Sequence, residues 1–349
     1  MRLFNLPTTI LLSLLAFTSA LPSSKPLPLL IWHGLGDKHD AEGLRAAGAL
    51  ARKIHSDTYV YYIRLDEDGN ADRTASFFGN VSTQIEQVCA DIKADPHLRS
   101  SSSSSDGREE VRVDALGFSQ GGQFLRGLLQ RCDGLSVRSL VTFGSQHNGI
   151  ERFQTCGDYD FVCRGATALI KGNAWTEYVQ SRVVPAQYYR VRNESTGEVS
   201  EEYLAHSNFL ADVNNEREGA RKEGYKVKIA ALEKFVMYVF GEDETVIPKE
   251  SGWWAEVNAT SGEVTPLRNR TMYTEDWLGL RKLDEKGGLV FRTAPGKHME
   301  LKQRLLADAF REFFGPETSA GLRLQETDEV SSLIGWWRHW RVPALKEYL

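Results

Sequence analysis

Three kinds of side chain in this sequence stand in an order that could open an acyl bond: a serine between glycines, a later acid, and a histidine after that. Ser119 is the centre of Gly117-Phe118-Ser119-Gln120-Gly121, a G-x-S-x-G. The apolar run 111–116 precedes it, and residues 121–130 have helical periodicity. The spacing therefore predicts a strand, a sharp turn and a helix, the setting in which such a serine becomes a nucleophile. The competing reading is a serine in an ordinary glycine-rich turn.

A serine hydroxyl attacks only when a base takes its proton, and the base needs an acid to orient it. Of the eight histidines, His55 ends a helix, His97 sits beside Pro96, and His339 lies near the end of the chain. His298 follows the apolar run 289–294 in the loop "APGKH", late in the chain, where this architecture presents its base. The acid should follow the preceding strand. There "GEDET" offers Glu242, Asp243 and Glu244, and periodicity does not choose among them.

An acyl transfer also needs two N–H donors for the oxyanion. The residue after the serine, Gln120, supplies one. The early loop "HGLGD" supplies the other, with Leu35 as the donor between Gly34 and Gly36. His33, just before that loop, reads as a structural hydrogen-bonding residue.

These residues need a scaffold. "LPLLIW" at 27–32 is a continuous apolar run, as a buried parallel strand requires. Helical spacing follows at 41–55, a strand at 58–65, a helix at 80–94, the strand and helix flanking Ser119, and a strand at 139–144. The alternation predicts an α/β fold with a mostly parallel, doubly wound sheet. From 147 to about 226 the pattern lapses, which reads as an inserted cap. The sheet resumes at 234–241 and 287–294, and a helix closes it at 299–314. "ALIKGNAWTEYV", "FLADV" and "ESGWWAEV" are the expected apolar lining of a substrate groove.

Of the 349 residues, 41% are hydrophobic and 26% charged, and the net charge of −5 calls for no nucleic-acid partner. Residues 1–20 have the basic start, short apolar stretch and small-residue end of a signal peptide, which directs the mature chain into the secretory route as a soluble protein. Cys89, Cys132, Cys156 and Cys163 suit two disulfides in an oxidising compartment. Cys156 and Cys163 are close enough to close a small loop, leaving Cys89 with Cys132. No C-x-x-C pair occurs, so no metal or cofactor is expected. Asn80, Asn193, Asn258 and Asn269 stand in N-glycosylation triplets. The serine run 100–105 reads as a surface insertion. The extension 316–349 carries three tryptophans among basic residues. It reads as a last amphipathic helix packed on the body, or as one lying on a membrane surface, so membrane contact is at most peripheral.

Taken together, "LPLLIWHGLGD", "GFSQGGQFLRGLLQRC", "GSQHNGI", "HSNFLADVNNER" and "MYTEDWLGLRKLDEKGGLVF" resemble the palmitoyl-protein thioesterase family, lysosomal lipid hydrolases of α/β-hydrolase fold. The resemblance runs in unbroken order over about residues 26–315. It implies hydrolysis of long-chain fatty acyl thioesters on cysteine in S-acylated proteins or peptides. By position it puts the nucleophile on Ser119, the base on His298, the acid on Asp243 and the oxyanion donors on Leu35, where relatives can carry Met, and Gln120. It pairs Cys89 with Cys132 and Cys156 with Cys163, and implies a lysosomal or vacuolar destination. The serine run and the residues after Gly315 depart from the family. Two rivals stand beside this reading: a secreted lipase or carboxylesterase of the same fold, and a catalytically silent homologue that binds lipid or protein.

Overall fold

The computed structural model describes residues 25–99, 110–152, 164–165, 168, 170, 172–193 and 196–316. The expected signal peptide, the serine run, Cys156, Cys163 and the extension after Pro316 lie outside the described residues. In chain order the structure forms β1 (Leu29–Trp32), α1 (Glu42–Ile54), β2 (Val60–Tyr62), α2 (Gly69–Ala75), α3 (Val81–Ala94), α4 (Pro96–Arg99), β3 (Val111–Phe118), α5 (Gln120–Arg131), β4 (Leu135–Phe143) and β5 (Lys234–Phe240). Short helices lie between β4 and β5 and again before β8; a two-stranded β6 (Glu256–Val257) and β7 (Val264–Thr265), β8 (Leu289–Ala294) and a last helix, Gln303–Phe313, follow β5.

One sheet takes the order β2-β1-β3-β4-β5-β8, with every neighbouring pair parallel. Strands in such a sheet are covered on both faces, which is why β1, β3, β4 and β5 are buried at nearly every position. The faces still alternate. Leu30 and Trp32 join the core beneath α3 and α5, while Leu29 and Ile31 join the one beneath α1 and the last helix. This sheet, with a serine at the turn between its third strand in chain order and α5, is the α/β-hydrolase fold.

The edges explain where the expected boundaries fail. β2 spans only three residues of the expected 58–65 because it pairs on one side alone, and its residues are half-buried. The closing helix begins at Gln303 rather than 299, because Met299 has φ of 62°, outside helical geometry.

The inserted region is tied to the body by buried charge. Arg190 reaches Glu216 at 2.9 Å and Glu256 at 2.8 Å, Arg270 reaches Glu256 at 2.7 Å, and the Tyr203 hydroxyl donates to Glu216. Burial alone would push the Glu256 carboxyl up, but Arg190 and Arg270 outweigh it and hold the carboxyl below its ordinary value. Removing one partner of such a cluster leaves an uncompensated buried charge, at about 3–5 kcal/mol.

At the sheet edge where the strands start, Arg138 pairs with Asp114 and donates to the Gly315 carbonyl at 2.8 Å. Pro26 and Pro316 form an isolated antiparallel bridge.

Cys89 on α3 is joined to Cys132 at the end of α5, across 43 residues of sequence. Closing a loop of that size restricts the unfolded chain by about 4 kcal/mol. We expect Cys89→Ala with Cys132→Ala to lose about that much stability, read as a lower denaturant midpoint in equilibrium unfolding.

Candidate active site

The sheet register places the functional loops side by side. Trp32 pairs with Gly117, so the loop after β1 and the turn after β3 leave the same edge together. Phe240 pairs with Ala294, so the loops carrying Asp243 and His298 also leave together. All four lie beyond the carboxyl ends of parallel strands, where open α/β sheets hold their ligands.

Ser119 has φ of 50° and ψ of −125°, a conformation that costs an L-residue about 1–3 kcal/mol. Its surroundings enforce it. Ser119 donates its N–H to the Phe143 carbonyl at 2.7 Å, and its own carbonyl accepts from Gly122 N at 3.2 Å. The glycines are there for closeness. A Cβ at Gly121 would stand 2.4 Å from the His33 carbonyl oxygen, and one at Gly34 would stand 3.1 Å from Ser119 Cβ.

The structure brings Ser119, His298 and Asp243 into one hydrogen-bonded row. Ser119 Oγ lies 3.0 Å from His298 Nε2, and His298 Nδ1 lies 2.7 Å from Asp243 Oδ2. A carboxylate only accepts, so Nδ1 carries the proton and Nε2 is left to accept from the serine hydroxyl. Asp243 Oδ1 accepts from the N–H groups of Thr245 at 2.9 Å and Val246 at 3.0 Å, which fixes the carboxylate. Its side chain is 1% exposed, whereas that of Glu244 is 83% exposed and Glu242 faces solvent. Glu242 donates its N–H to the Gly296 carbonyl at 3.0 Å and so ties the acid loop to the histidine loop. A row of this kind can move a proton from hydroxyl to imidazole while the carboxylate steadies the resulting charge.

Leu35 and Gln120 flank the serine. Gln120 opens α5, so its N–H has no acceptor within that helix. The loop carrying Leu35 is pinned on both sides. Gly36 donates its N–H to Ser76 Oγ at 2.8 Å, and Arg73 donates to the Gly36 carbonyl at 2.7 Å. Before Leu35, His33 is fully buried, with both ring nitrogens facing oxygen: Gly34 O at 2.8 Å and Asp72 Oδ2 at 3.0 Å. Asp72 also accepts from the His39 N–H at 2.8 Å and the Leu65 N–H at 2.7 Å. Asp72 carries no motif, and the sequence reading missed it.

A cavity of about 770 Å³ opens at Ser119. Its walls correct the expectation from sequence. Among the described residues, "ALIKGNAWTEYV", "FLADV" and "ESGWWAEV" supply none of its lining residues. Their apolar residues are spent on packing. Phe209 and Leu210 join the core under α5, Trp254 stacks on His147 at 5.6 Å beneath Arg126, and Ala174 and Val179 pack behind Phe77. The walls come instead from Leu44, Ala47 and Leu50 of α1, Leu306 of the last helix, and Phe77 and Tyr188.

Of the four candidate glycosylation residues, Asn193, Asn258 and Asn269 are exposed. Asn80 is half-buried and caps α3, its side-chain oxygen accepting from Ser82 N and Thr83 N. Among the described residues no group of acids, histidines and cysteines is arranged to hold a metal, and no helix is long and apolar enough to cross a membrane.

Burial would raise the Asp72 carboxyl. The hydrogen bond from His33, the Leu65 N–H and the charge of His33 outweigh that and bring it down from 3.8 to about 2. A folded value below the unfolded one adds stability above about pH 4, and this is lost as the pH falls toward 2, about 2 kcal/mol in all. We expect Asp72→Asn to be the less stable protein near neutrality, with the gap to wild type narrowing by about 2 kcal/mol on acidification. Denaturant midpoints across that range measure it, and a gap independent of pH would refute this account of Asp72.

Known proteins are similar to this chain in sequence. Residues 28–298 match the family model of palmitoyl protein thioesterase. Palmitoyl-protein thioesterase 1 of Caenorhabditis elegans is 32% identical over 319 residues, 90% of this chain and 100% of that protein. Palmitoyl-protein thioesterase 3 of Dictyostelium discoideum is 30% identical over 292 residues, 83% of this chain and 91% of that one. The palmitoyl-protein thioesterase-dolichyl pyrophosphate phosphatase fusion 1 of Schizosaccharomyces pombe is 31% identical over 313 residues, 89% of this chain but 47% of the fusion, so this chain spans about half of that relative. The chain belongs to the palmitoyl protein thioesterase family of hydrolases.

Proposed function

We propose that this chain is a serine thioesterase that frees long-chain fatty acid from cysteine in S-acylated proteins or peptides. The observation that carries the reading is the Ser119–His298–Asp243 row opening onto an apolar cavity.

The reaction has two halves. His298 Nε2 takes the hydroxyl proton as Ser119 Oγ attacks the acyl carbonyl carbon. The developing oxyanion is held by the N–H groups of Leu35 and Gln120. Collapse breaks the carbon–sulfur bond, and the sulfur leaves with the proton carried by His298. Water then attacks the acyl-enzyme with His298 again as base, freeing the fatty acid and restoring Ser119. A thiol, with a pKa near about 8.5, leaves far more readily than an alcohol. Asp243 keeps His298 in the tautomer that can accept. We further propose that Cys156 pairs with Cys163 and that the protein works in the secretory pathway, in a lysosome or vacuole. The Cys89–Cys132 disulfide and the exposed asparagines Asn193, Asn258 and Asn269 support that compartment.

The test compares wild type with Ser119→Ala on a palmitoyl-cysteine peptide and on its matched serine oxygen ester. Wild type should favour the thioester, and Ser119→Ala should lose about 10⁴-fold or more in kcat. A fluorophosphonate probe should label the wild type and leave Ser119→Ala unlabelled. Clear preference for the oxygen ester would replace this reading with the carboxylesterase. Equal labelling of both proteins would remove Ser119 as nucleophile.

A further inference from the structure

β2 is an edge of the sheet, and its outer side is open. Leu29 donates its N–H to the Tyr59 carbonyl at 2.8 Å, and Ile63 donates to the Ile31 carbonyl at 3.0 Å. The bonds to β1 therefore fall on alternate residues, and the N–H and C=O groups of Val60 and Tyr62 turn outward. An edge left this way is a template for one more strand. A groove of about 540 Å³ runs along it. Arg45 of α1 stands on one side of the sheet there, and Asp91 of α3 on the other. Tyr59, Tyr61 and Tyr62 give the groove aromatic surface. Asp66, Glu67, Asp91 and Asp95 line it against the guanidinium groups of Arg45 and Arg64, so its surplus charge is negative. Arg45 already lies over the Tyr62 ring at 4.1 Å, and Arg64 reaches Glu67 at 3.6 Å. What such a groove suits is an extended segment that brings main-chain donors and acceptors, cations and aromatic rings.

The sequence after the folded body contains one. "LIGWWRHWRV", residues 333–342, is rich in the aromatic and branched residues that strands favour. Read with a period of two, Ile334, Trp336, Trp340 and Val342 share one face with Arg338, and Arg341 falls on the other. Gly335 weakens a helix there, and Pro343 would end one. The body also ends near the start of β2. A Cβ at Gly315 would stand 2.7 Å from the ring of His55, which lies between α1 and β2. From Pro316 the chain up to Leu333 could span about 50 Å when extended, far more than the step from His55 to Val60 requires. We infer that the segment 333–342 of the C-terminal extension pairs with β2 in this groove, adding a strand to the six-stranded sheet and setting its arginines among the carboxylates. The inference is independent of the thioesterase reading.

The experiment follows hydrogen exchange at single amides in the full chain for wild type, Trp336→Ser with Trp340→Ser, and Asp91→Arg. Val60 and Tyr62 should exchange about tenfold or more slowly in wild type than in either variant. The Ile63 amide, which is bonded to β1, should exchange alike in all three and so report an intact sheet. Equal exchange of Val60 and Tyr62 in wild type and the tryptophan variant would overturn the inference. Protection kept in full by Asp91→Arg would overturn the placement in this groove. Protection that fades on dilution would overturn it too, by giving the groove to the extension of a second copy. Vesicles of phosphatidylcholine with phosphatidylglycerol test the membrane reading of the same tryptophans. A wild type that binds them through Trp336 and Trp340, with Val60 and Tyr62 unprotected in their absence, would replace the inference with a membrane surface.

Discussion

Ser119 holds a backbone conformation that an L-residue adopts only when its surroundings leave no alternative, and much of the molecule supplies those surroundings. The sheet fixes the turn by the bond from Ser119 N–H to Phe143 on the neighbouring strand. The loop after β1 can close on it only because Gly121 lacks a side chain, and Gly34 keeps the contact with Ser119 uncrowded. The same tight turn starts α5 and leaves the Gln120 N–H beside the hydroxyl. Strain at one residue is thus bound up with the approach of two strands, one helix and one loop. A relaxed serine would leave these pieces correctly folded and wrongly aimed.

A second layer of constraint holds the partners in place. Asp243 is fixed by two N–H groups of its own loop before it meets His298. Asp72 does the same for the loop before Leu35 by gathering His33, His39 and Leu65 around one buried carboxylate. Each is a charged group made tolerable in a dry place by several donors. The Arg190 cluster applies the same principle at the join of the inserted region, so the roof over the cavity is tied down by charge as well as by apolar contact.

What could be read from sequence follows from where a physical signal is strong. Strands buried on both faces announce themselves as unbroken apolar runs, and the elbow has a spacing of its own, so the fold and Ser119 were legible. Glu242, Asp243 and Glu244 were not separable by pattern, because the choice lies in which carboxylate folds back onto Thr245 and Val246. The cavity walls were misplaced for a related reason. Aromatic clusters such as Trp253-Trp254 look like lining, yet large apolar groups are also what a core absorbs first. The residues that do line the cavity include glycine and alanine on α1, and small residues carry no signal that they border an open space. Asp72 was invisible because a lone aspartate gains its meaning only from the donors that folding brings to it.

The bridge between Pro26 and Pro316, with Arg138 holding the Gly315 carbonyl, brings both ends of the folded body to one place. That place is the edge where the strands begin, and the cavity at Ser119 opens beyond the edge where they end. A segment joined at either end therefore departs from the side remote from substrate, and the two attachment points are neighbours. In modular terms the body is a plug-in unit. It can be spliced before or after another domain, or inserted within one, without shading its own catalytic mouth. A thioesterase fused to a phosphatase in one relative is the sort of architecture such a geometry permits.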